Sequence, residues 1–321
     1  VMRDGQHLAI LGGGFIGLSA ASASSGTVSA QLGEANGAGN GEGWGVTVSG
    51  TATIATSGSE AAGLVAQTIT GGGGVATAYG AASYSGTVRL GATGGGANFN
   101  SNISVTLSGG SVATGGSYAP GVVVQNVSSG GGVSLIPASN VILGAATDST
   151  AEQTTVNSSA AISTSGAASP GLIAQSIGGG GGFAISTGSA TLGGAPSGSN
   201  VDQTLSLYAS NGSVNTTGAA SPGMVAQSIG AGGGLVVGAL NPVTATFSHG
   251  TAYGGPVTAQ LGAIATSGAG SVGFLAQSVG GGGGAVISAY NNSGATSFGA
   301  NVGGSGDGAD NGATINVTTY N

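Results

Sequence analysis

The sequence predicts an all-β protein, a right-handed parallel β-helix with glycine-rich corners, from its composition, an internal repeat and the alternation of its apolar residues. Glycine makes up 72 of the 321 residues, whereas Asp, Glu, Lys and Arg together make up only 3%. An ordinary soluble domain carries roughly 25% charged residues, so a globular enzyme with a charged surface is excluded. Hydrophobic residues still reach 40%, which gives the chain enough apolar surface to drive folding.

A motif made of an apolar stretch, Ala-Gln-Ser-Ile and a glycine run recurs along the chain. Its clearest copy is the segment 170–182, and a truncated copy at 9–15 places the start of the sequence inside a repeat. The full copies are marked by glutamines that step by 58, 50, 52 and 50 residues, namely Gln67, Gln125, Gln175, Gln227 and Gln277. A fixed period of this length is typical of solenoids. We therefore expect one continuous solenoid over residues 1–321, with about six repeats of 50–58 residues, cut from a longer chain.

Each repeat contains four or five short strands in a fixed order. An alternating strand such as 46–50 comes first, and the pattern Ile-x-Thr-x-Gly, as in 162–166, indicates a second strand that closes in a turn. The glutamine strand and the glycine run follow, and then come apolar stretches such as 183–187 and 190–193. No stretch has the period of a helix, so successive coils are expected to pair as parallel strands about 4.8 Å apart.

The length of one coil follows from how its interior is filled. The inward residues are small, and a ring of about 50 residues would enclose a cross-section too wide for them to fill. We therefore expect two coils of about 25 residues per repeat, or about 13 coils in a rod roughly 60 Å long. The five glutamines would then lie on one side of the rod about 9.6 Å apart. One coil per repeat would instead place them about 4.8 Å apart, where their amides hydrogen-bond.

The glycine runs have other interpretations besides a tight corner or a closely packed strip. Gly12, Gly14 and Gly17, with Glu34 further on, fit a dinucleotide-binding fingerprint, but the same run recurs in the other repeats without a βαβ context. A phosphate-binding loop requires Gly-Lys-Ser/Thr, and the chain has no lysine. Extended glycine runs could also pack side by side as polyproline-II strands. The repeat favours the corner, and we expect no cofactor.

Catalytic and metal-binding groups are scarce. The only histidines are His7 and His249, and the motif G-x-S-x-G is absent, so no catalytic residue is nominated. Most acids fall in the variable segment between repeats, which favours solvated loops. Asp307 and Asp310 lie in a glycine-rich stretch similar to a calcium-binding nonapeptide, but the Asp falls one position early. They are the calcium candidates, and solvated loops are the favoured interpretation.

The string Ile-x-Thr-x-Gly-x-x-Ser-x-Gly-Leu-x-Ala-Gln-Ser-Ile followed by five glycines, at 162–182, resembles the passenger repeats of large proteobacterial autotransporters of type V secretion. The resemblance extends over nearly the whole chain through the full copies of the motif. It implies a β-helical passenger that a C-terminal outer-membrane β-barrel carries to the surface of a Gram-negative cell. Such passengers act in adhesion, in aggregation or as fibres. Neither end of the sequence shows the barrel, which is therefore expected elsewhere in the full-length chain.

These observations predict a non-catalytic structural and adhesive solenoid at the cell surface or outside the cell. Its expected partners are copies of itself, or a host or abiotic surface. Arg3 and Arg89 are the only cations, so the chain cannot assemble the basic surface that nucleic acid requires. Its longest apolar stretch is also too short and too rich in glycine to span a membrane.

Two alternatives to adhesion remain open at this stage. An ice-binding solenoid would require a flat threonine array, for which the candidates are Thr47, Thr51, Thr53 and Thr56. A β-helix enzyme that acts on polysaccharide is the other, and the scarcity of Lys, Arg and His disfavours it.

Overall fold

The computed structural model describes residues 7–11, 14–23, 26–32, 45–81, 84–91, 98–99, 101–144, 149–194, 200–201, 204–238, 243–248, 250–289, 299–301 and 311–320. Within these ranges all regular structure is β-strand, so the predicted fold class, an all-β parallel solenoid, is confirmed. The strands are β1 (His7–Leu11), β2 (Gly14–Ala23), β3 (Gly26–Leu32), β4 (Val46–Thr56), β5 (Leu64–Ile69), β6 (Gly73–Ala81), β7 (Tyr84–Leu90), β8 (Asn98–Phe99), β9 (Ile103–Thr114), β10 (Val122–Val127), β11 (Gly131–Leu143), β12 (Ser149–Thr150), β13 (Thr154–Ser158), β14 (Ala161–Thr164), β15 (Leu172–Ile177), β16 (Gly181–Leu192), β17 (Asn200–Val201), β18 (Leu205–Thr216), β19 (Met224–Ile229), β20 (Gly233–Gly238), β21 (Thr244–Phe247), β22 (Ala252–Tyr253), β23 (Val257–Thr266), β24 (Phe274–Val279), β25 (Gly283–Ser288), β26 (Gly299–Asn301) and β27 (Ile315–Thr319).

Three long sheets of parallel strands run along the solenoid axis. The outer sheet contains β4, β9, β13, β14, β18, β23 and β27. The central sheet contains β1, β5, β10, β15, β19 and β24. The third sheet contains β2, β3, β6, β7, β11, β16, β20, β21, β25 and β26. The chain visits the outer, central and third sheets in that order, then crosses the variable segment and enters the next coil.

One repeat forms one coil, so the expectation of two coils of about 25 residues per repeat was wrong. The glutamine strands of consecutive repeats are direct neighbours, and Gln125 pairs with both Gln67 and Gln175. The six strands of the central sheet, at about 4.8 Å each, span roughly 24 Å from first to last. The described coils therefore form a stack much shorter than the narrow rod of roughly 60 Å that was expected.

The central sheet explains how so long a coil is filled with small side chains. Its strands β10, β15 and β19 are buried on both faces. One face shares an apolar cluster with the outer sheet, which includes Val122 and Val105, and the other shares one with the third sheet, which includes Val123 and Val133. The strands of the third sheet enclose a further apolar cluster between their two halves. The coil thus crosses its own interior, and layers close enough for Val, Ile, Leu and Ala to fill replace the wide lumen.

The turn between the outer and central sheets has the same construction in successive coils. A buried threonine donates a hydrogen bond of 2.6 Å from Oγ1 to the carbonyl five residues on; these threonines are Thr56, Thr114, Thr164 and Thr216. One residue before that carbonyl the backbone is left-handed, with φ between 52° and 61°, at Glu60, Tyr118, Ala168 and Ala220. From this threonine to the second glycine of the third-sheet strand in the same coil the chain keeps one length, at 56–74, 114–132, 164–182, 216–234 and 266–284. We call this the constant segment.

Candidate functional site

The five sequence-predicted glutamines stand in one column in the middle of the central sheet. The strand register aligns them in chain order from Gln67 to Gln277. Nε2 of each of the first four donates to Oε1 of the glutamine in the following coil, at 2.5–2.7 Å. The first four side chains are completely buried, and Gln277 is partly exposed. The spacing of one coil therefore produces a continuous amide ladder.

The same amides also tie the central sheet to the third sheet. Nε2 of Gln175 donates a second hydrogen bond to the carbonyl oxygen of Gly182, seven residues on, at 3.3 Å. Gln125, Gln227 and Gln277 make the corresponding bond at 3.1–3.4 Å. Because both N–H groups and the oxygen of an interior glutamine are engaged within the fold, the column fixes register and leaves no group for a ligand.

The ladder has one unpaired group at its first rung. Oε1 of Gln67 is buried and has no hydrogen-bond partner among the described residues. The register places Ile10 beside Gln67, and isoleucine has no donor to offer. The amide ladder thus begins at the second coil.

From β6 onward, the strands of the third sheet that follow the central sheet each begin with two glycines, which the register aligns in two columns. The close contact between coils at this point requires glycine. Gly181 and Gly182 have φ of 129° and 134°, a backbone conformation that L-residues with a side chain rarely adopt. A Cβ on Gly181 would overlap the carbonyl oxygen of Gly233 in the following coil. A Cβ on Gly182 would overlap that of Gly132 in the preceding coil. The glycine runs are therefore packed against each other's backbones and do not form an open anion cradle.

The chain after Gly14 lacks the context of a dinucleotide-binding fingerprint, the alternative that the repeat already disfavoured. Residues from Gly14 onward form β2, which pairs in parallel with β6. A dinucleotide-binding turn requires a helix at this point, because the helix N-terminus holds the pyrophosphate.

We expect Gly181→Ala to lower the free energy of unfolding by about 2–4 kcal/mol, since it adds backbone strain at positive φ and overlap with Gly233. Chemical denaturation measures the change. Gly115→Ala is the matched control, because Gly115 is exposed, lacks a positive φ and has its nearest Cβ neighbours at 3.7 Å. Equal stability of the two variants would show that the glycine columns are not packing-limited.

A buried carboxylate is the feature that the sequence analysis did not single out. Glu60 is 3% exposed at its left-handed turn position, and its Oε2 has no hydrogen-bond partner among the described residues. Burial raises the pKa of the Glu60 carboxyl from 4.5 to about 8. Tyr118 occupies the same turn position in the next coil, where burial and the charge of Glu60 raise the pKa of its hydroxyl. The signal in the sequence was that Glu60 lies inside the repeated segment, whereas most acids lie outside it.

The outer sheet presents a long run of outward polar side chains that continues from coil to coil within the described strands. In β9, Ile103, Val105 and Leu107 are buried, and the intervening Ser104 and Thr106 are partly exposed. The register continues these outward positions into two parallel columns. We call them the hydroxyl face, which consists of Thr47, Ser49, Ser104, Thr106, Thr155, Asn157, Ser206, Tyr208, Thr258 and Gln260. Among them Ser206 alone is buried.

The threonines considered for an ice-binding array do not share one face. Thr47 and Thr53 are exposed, but Thr56 is buried and donates to a backbone carbonyl in its own turn. Thr51 donates its hydroxyl proton to the carbonyl of Ser108. The four residues therefore do not form the flat array that was expected.

The calcium candidates Asp307 and Asp310 lie outside the described residues. In the part of the chain that the structure describes, no three His, Cys, Asp or Glu side chains come together as a metal site would require. No helix within the same ranges has the length and apolar character to cross a membrane.

The chemistry of the hydroxyl face is that of a neutral hydrogen-bonding surface. Its ten residues are hydroxyl or amide side chains without a formal charge, repeated about every 4.8 Å along the axis.

Comparison with family models, with curated proteins and with solved structures finds no match for this chain.

Proposed function

We propose that this chain is a non-catalytic structural and adhesive solenoid at the surface of a Gram-negative cell. In this proposal the hydroxyl face contacts a host surface, an abiotic surface or another copy of the chain. The observation that carries the proposal is the continuation of uncharged hydroxyl and amide columns across five coils.

Repetition suits such a face to adhesion. A single hydroxyl contact is worth little, because each hydrogen bond replaces one with water. Many such groups on a rigid support bind together, since the second contact forms at the high effective concentration that the first creates. The buried glutamine ladder and glycine columns supply that rigidity. The low charge of the face also allows close approach to a second surface without electrostatic repulsion.

The sequence resemblance supports the location and the mode of export. Most of the residues that resemble autotransporter passengers belong to the constant segment, whose central and glycine strands are largely buried. The resemblance therefore bears on architecture and display, whereas the ligand has to be inferred from the exposed residues. An outer-membrane barrel elsewhere in the full-length chain is part of this proposal.

Adhesion under flow tests the proposal. We expect the purified chain to be retained on hydroxyl-terminated monolayers, and Thr155→Glu to reduce retention several-fold, because a carboxylate on the face must be desolvated on contact. Thr246→Glu is the matched control, since Thr246 is exposed on β21 of the third sheet. Equal retention of both variants would contradict the proposal. Release of reducing ends from a polysaccharide would contradict its non-catalytic part.

A further inference from the structure

Tyr208 is the single aromatic residue in the described strands of the outer sheet, and it lies on the hydroxyl face. It belongs to β18, between the buried residues Leu207 and Ala209. The register places Asn157 of β13 on one side of it and Gln260 of β23 on the other. All three side chains are partly exposed.

The three residues form a short column of one aromatic ring between two amides. Adjacent members lie about 4.8 Å apart along the solenoid axis, because they occupy neighbouring parallel strands. Each amide offers one oxygen acceptor and two N–H donors, and the tyrosine hydroxyl both donates and accepts. Within the described part of the chain, no hydrogen bond engages these side chains, so their polar groups are open to a ligand.

The surroundings of the column select a neutral ligand. Thr155 and Thr258 precede Asn157 and Gln260 on the same face, and β13, β18 and β23 contain no charged residue. An ionic ligand would lose hydration without gaining an opposite charge. An apolar ligand would find only one ring, which is much less apolar surface than a typical apolar docking patch has.

A sugar ring matches both parts of this chemistry. Its C–H face packs against an aromatic ring, and its hydroxyls exchange hydrogen bonds with amides and threonines. A polysaccharide chain lying along the solenoid axis would place one ring on Tyr208 and bring its hydroxyls within reach of the amides on both sides. The parallel sheet holds these groups in fixed positions, so little conformational entropy is lost on binding.

We propose that Asn157, Tyr208 and Gln260 form a binding subsite for an uncharged polysaccharide chain. The subsite rests on the proposed function, since it lies on the face to which adhesion is assigned.

Native affinity electrophoresis of the purified chain tests this subsite. The gels contain hydroxyethyl cellulose, galactomannan, β-1,3-glucan or dextran, with the polyanion alginate for comparison. We expect at least one of the neutral polysaccharides to retard the wild type. Tyr208→Ala should lower that affinity about tenfold, and Asn157→Ala and Gln260→Ala about threefold each. Tyr208→Phe keeps the ring and should retain most of the affinity.

The control variant is Tyr253→Ala, because Tyr253 is 39% exposed and lies in β22, away from the outer sheet. Circular dichroism checks that each variant keeps the wild-type fold. Equal retardation of Tyr208→Ala and the wild type, or retardation by alginate alone, would overturn the subsite. A wild type that adheres to hydroxyl-terminated monolayers but is retarded by none of the neutral polysaccharides would overturn the subsite and leave the proposed function standing. If Thr155→Glu adhered like the wild type, the proposed function would fail instead.

Discussion

Replacing Gln175 by leucine should lower the free energy of unfolding by about 3–5 kcal/mol, as measured by chemical denaturation. Gln175 accepts a hydrogen bond from Nε2 of Gln125 at 2.6 Å and donates one to Oε1 of Gln227 at 2.7 Å. Leucine leaves that donor and that acceptor buried without partners, at about 1–3 kcal/mol each. The low polarity of the surrounding core increases the cost of each unpaired group.

Two further variants separate the ladder from the general effect of a substitution. Gln153→Leu makes the same change at an exposed position and should alter stability by less than about 0.5 kcal/mol. The double variant Gln125→Leu, Gln175→Leu should cost about as much as Gln175→Leu alone. Within the amide ladder it again leaves only two unpaired groups, one on Gln67 and one on Gln227. Strictly additive losses would show that the amides do not act as a ladder.

Raising the pH from about 4.5 to about 8 should destabilise the solenoid through Glu60. Below pH 4.5 the carboxyl is protonated in both the folded and the unfolded chain, so it adds no pH dependence. Between that value and the folded pKa of about 8, the unfolded chain releases the proton and the folded chain retains it. Unfolding therefore becomes more favourable as the pH rises, with a total loss on the order of 4 kcal/mol.

Thermal unfolding of Glu60→Gln across the same pH range measures this effect. The variant keeps a neutral side chain at the turn, so it should lack the decline and be more stable than the wild type at pH 8. Glu152→Gln is the control, because it removes a carboxylate from a partly exposed position. If Glu60→Gln followed the wild-type curve, another group would have to be responsible for the decline.

The strand order and the alignment of the glutamines were accessible from the sequence because both depend on local patterns. Period-two alternation marks the strands of the outer sheet, and the repeat itself fixes which residues are equivalent. Coil length was not accessible in this way. It depends on whether the chain encircles a lumen or crosses it, and β10 carries apolar residues on both faces in either case. Two coils per repeat would be needed only if each coil enclosed a lumen, and the central sheet crosses that interior instead.

The residues proposed to bind a ligand were the hardest to recognise from the sequence. Tyr208 looks like any other tyrosine until the register sets Asn157 and Gln260 beside it, 51 and 52 positions away in the chain by the strand pairing. Thr56 was misassigned because exposure depends on the turn, which directs its hydroxyl inward to a carbonyl. Neither the neighbours of Tyr208 nor the burial of Thr56 can be read from residue type or from local spacing.

The constant segment gives this molecule an adjustable size. Within this segment every coil pairs with its neighbours without a shift in register, and the differences in length between repeats are confined to the segments outside it. Gain or loss of one whole repeat would therefore preserve the register of the constant segment between the coils that become neighbours, while changing the height of the stack by about 4.8 Å. Related chains can thus differ in reach without differing in fold, and selection can act on copy number separately from the residues exposed at the surface.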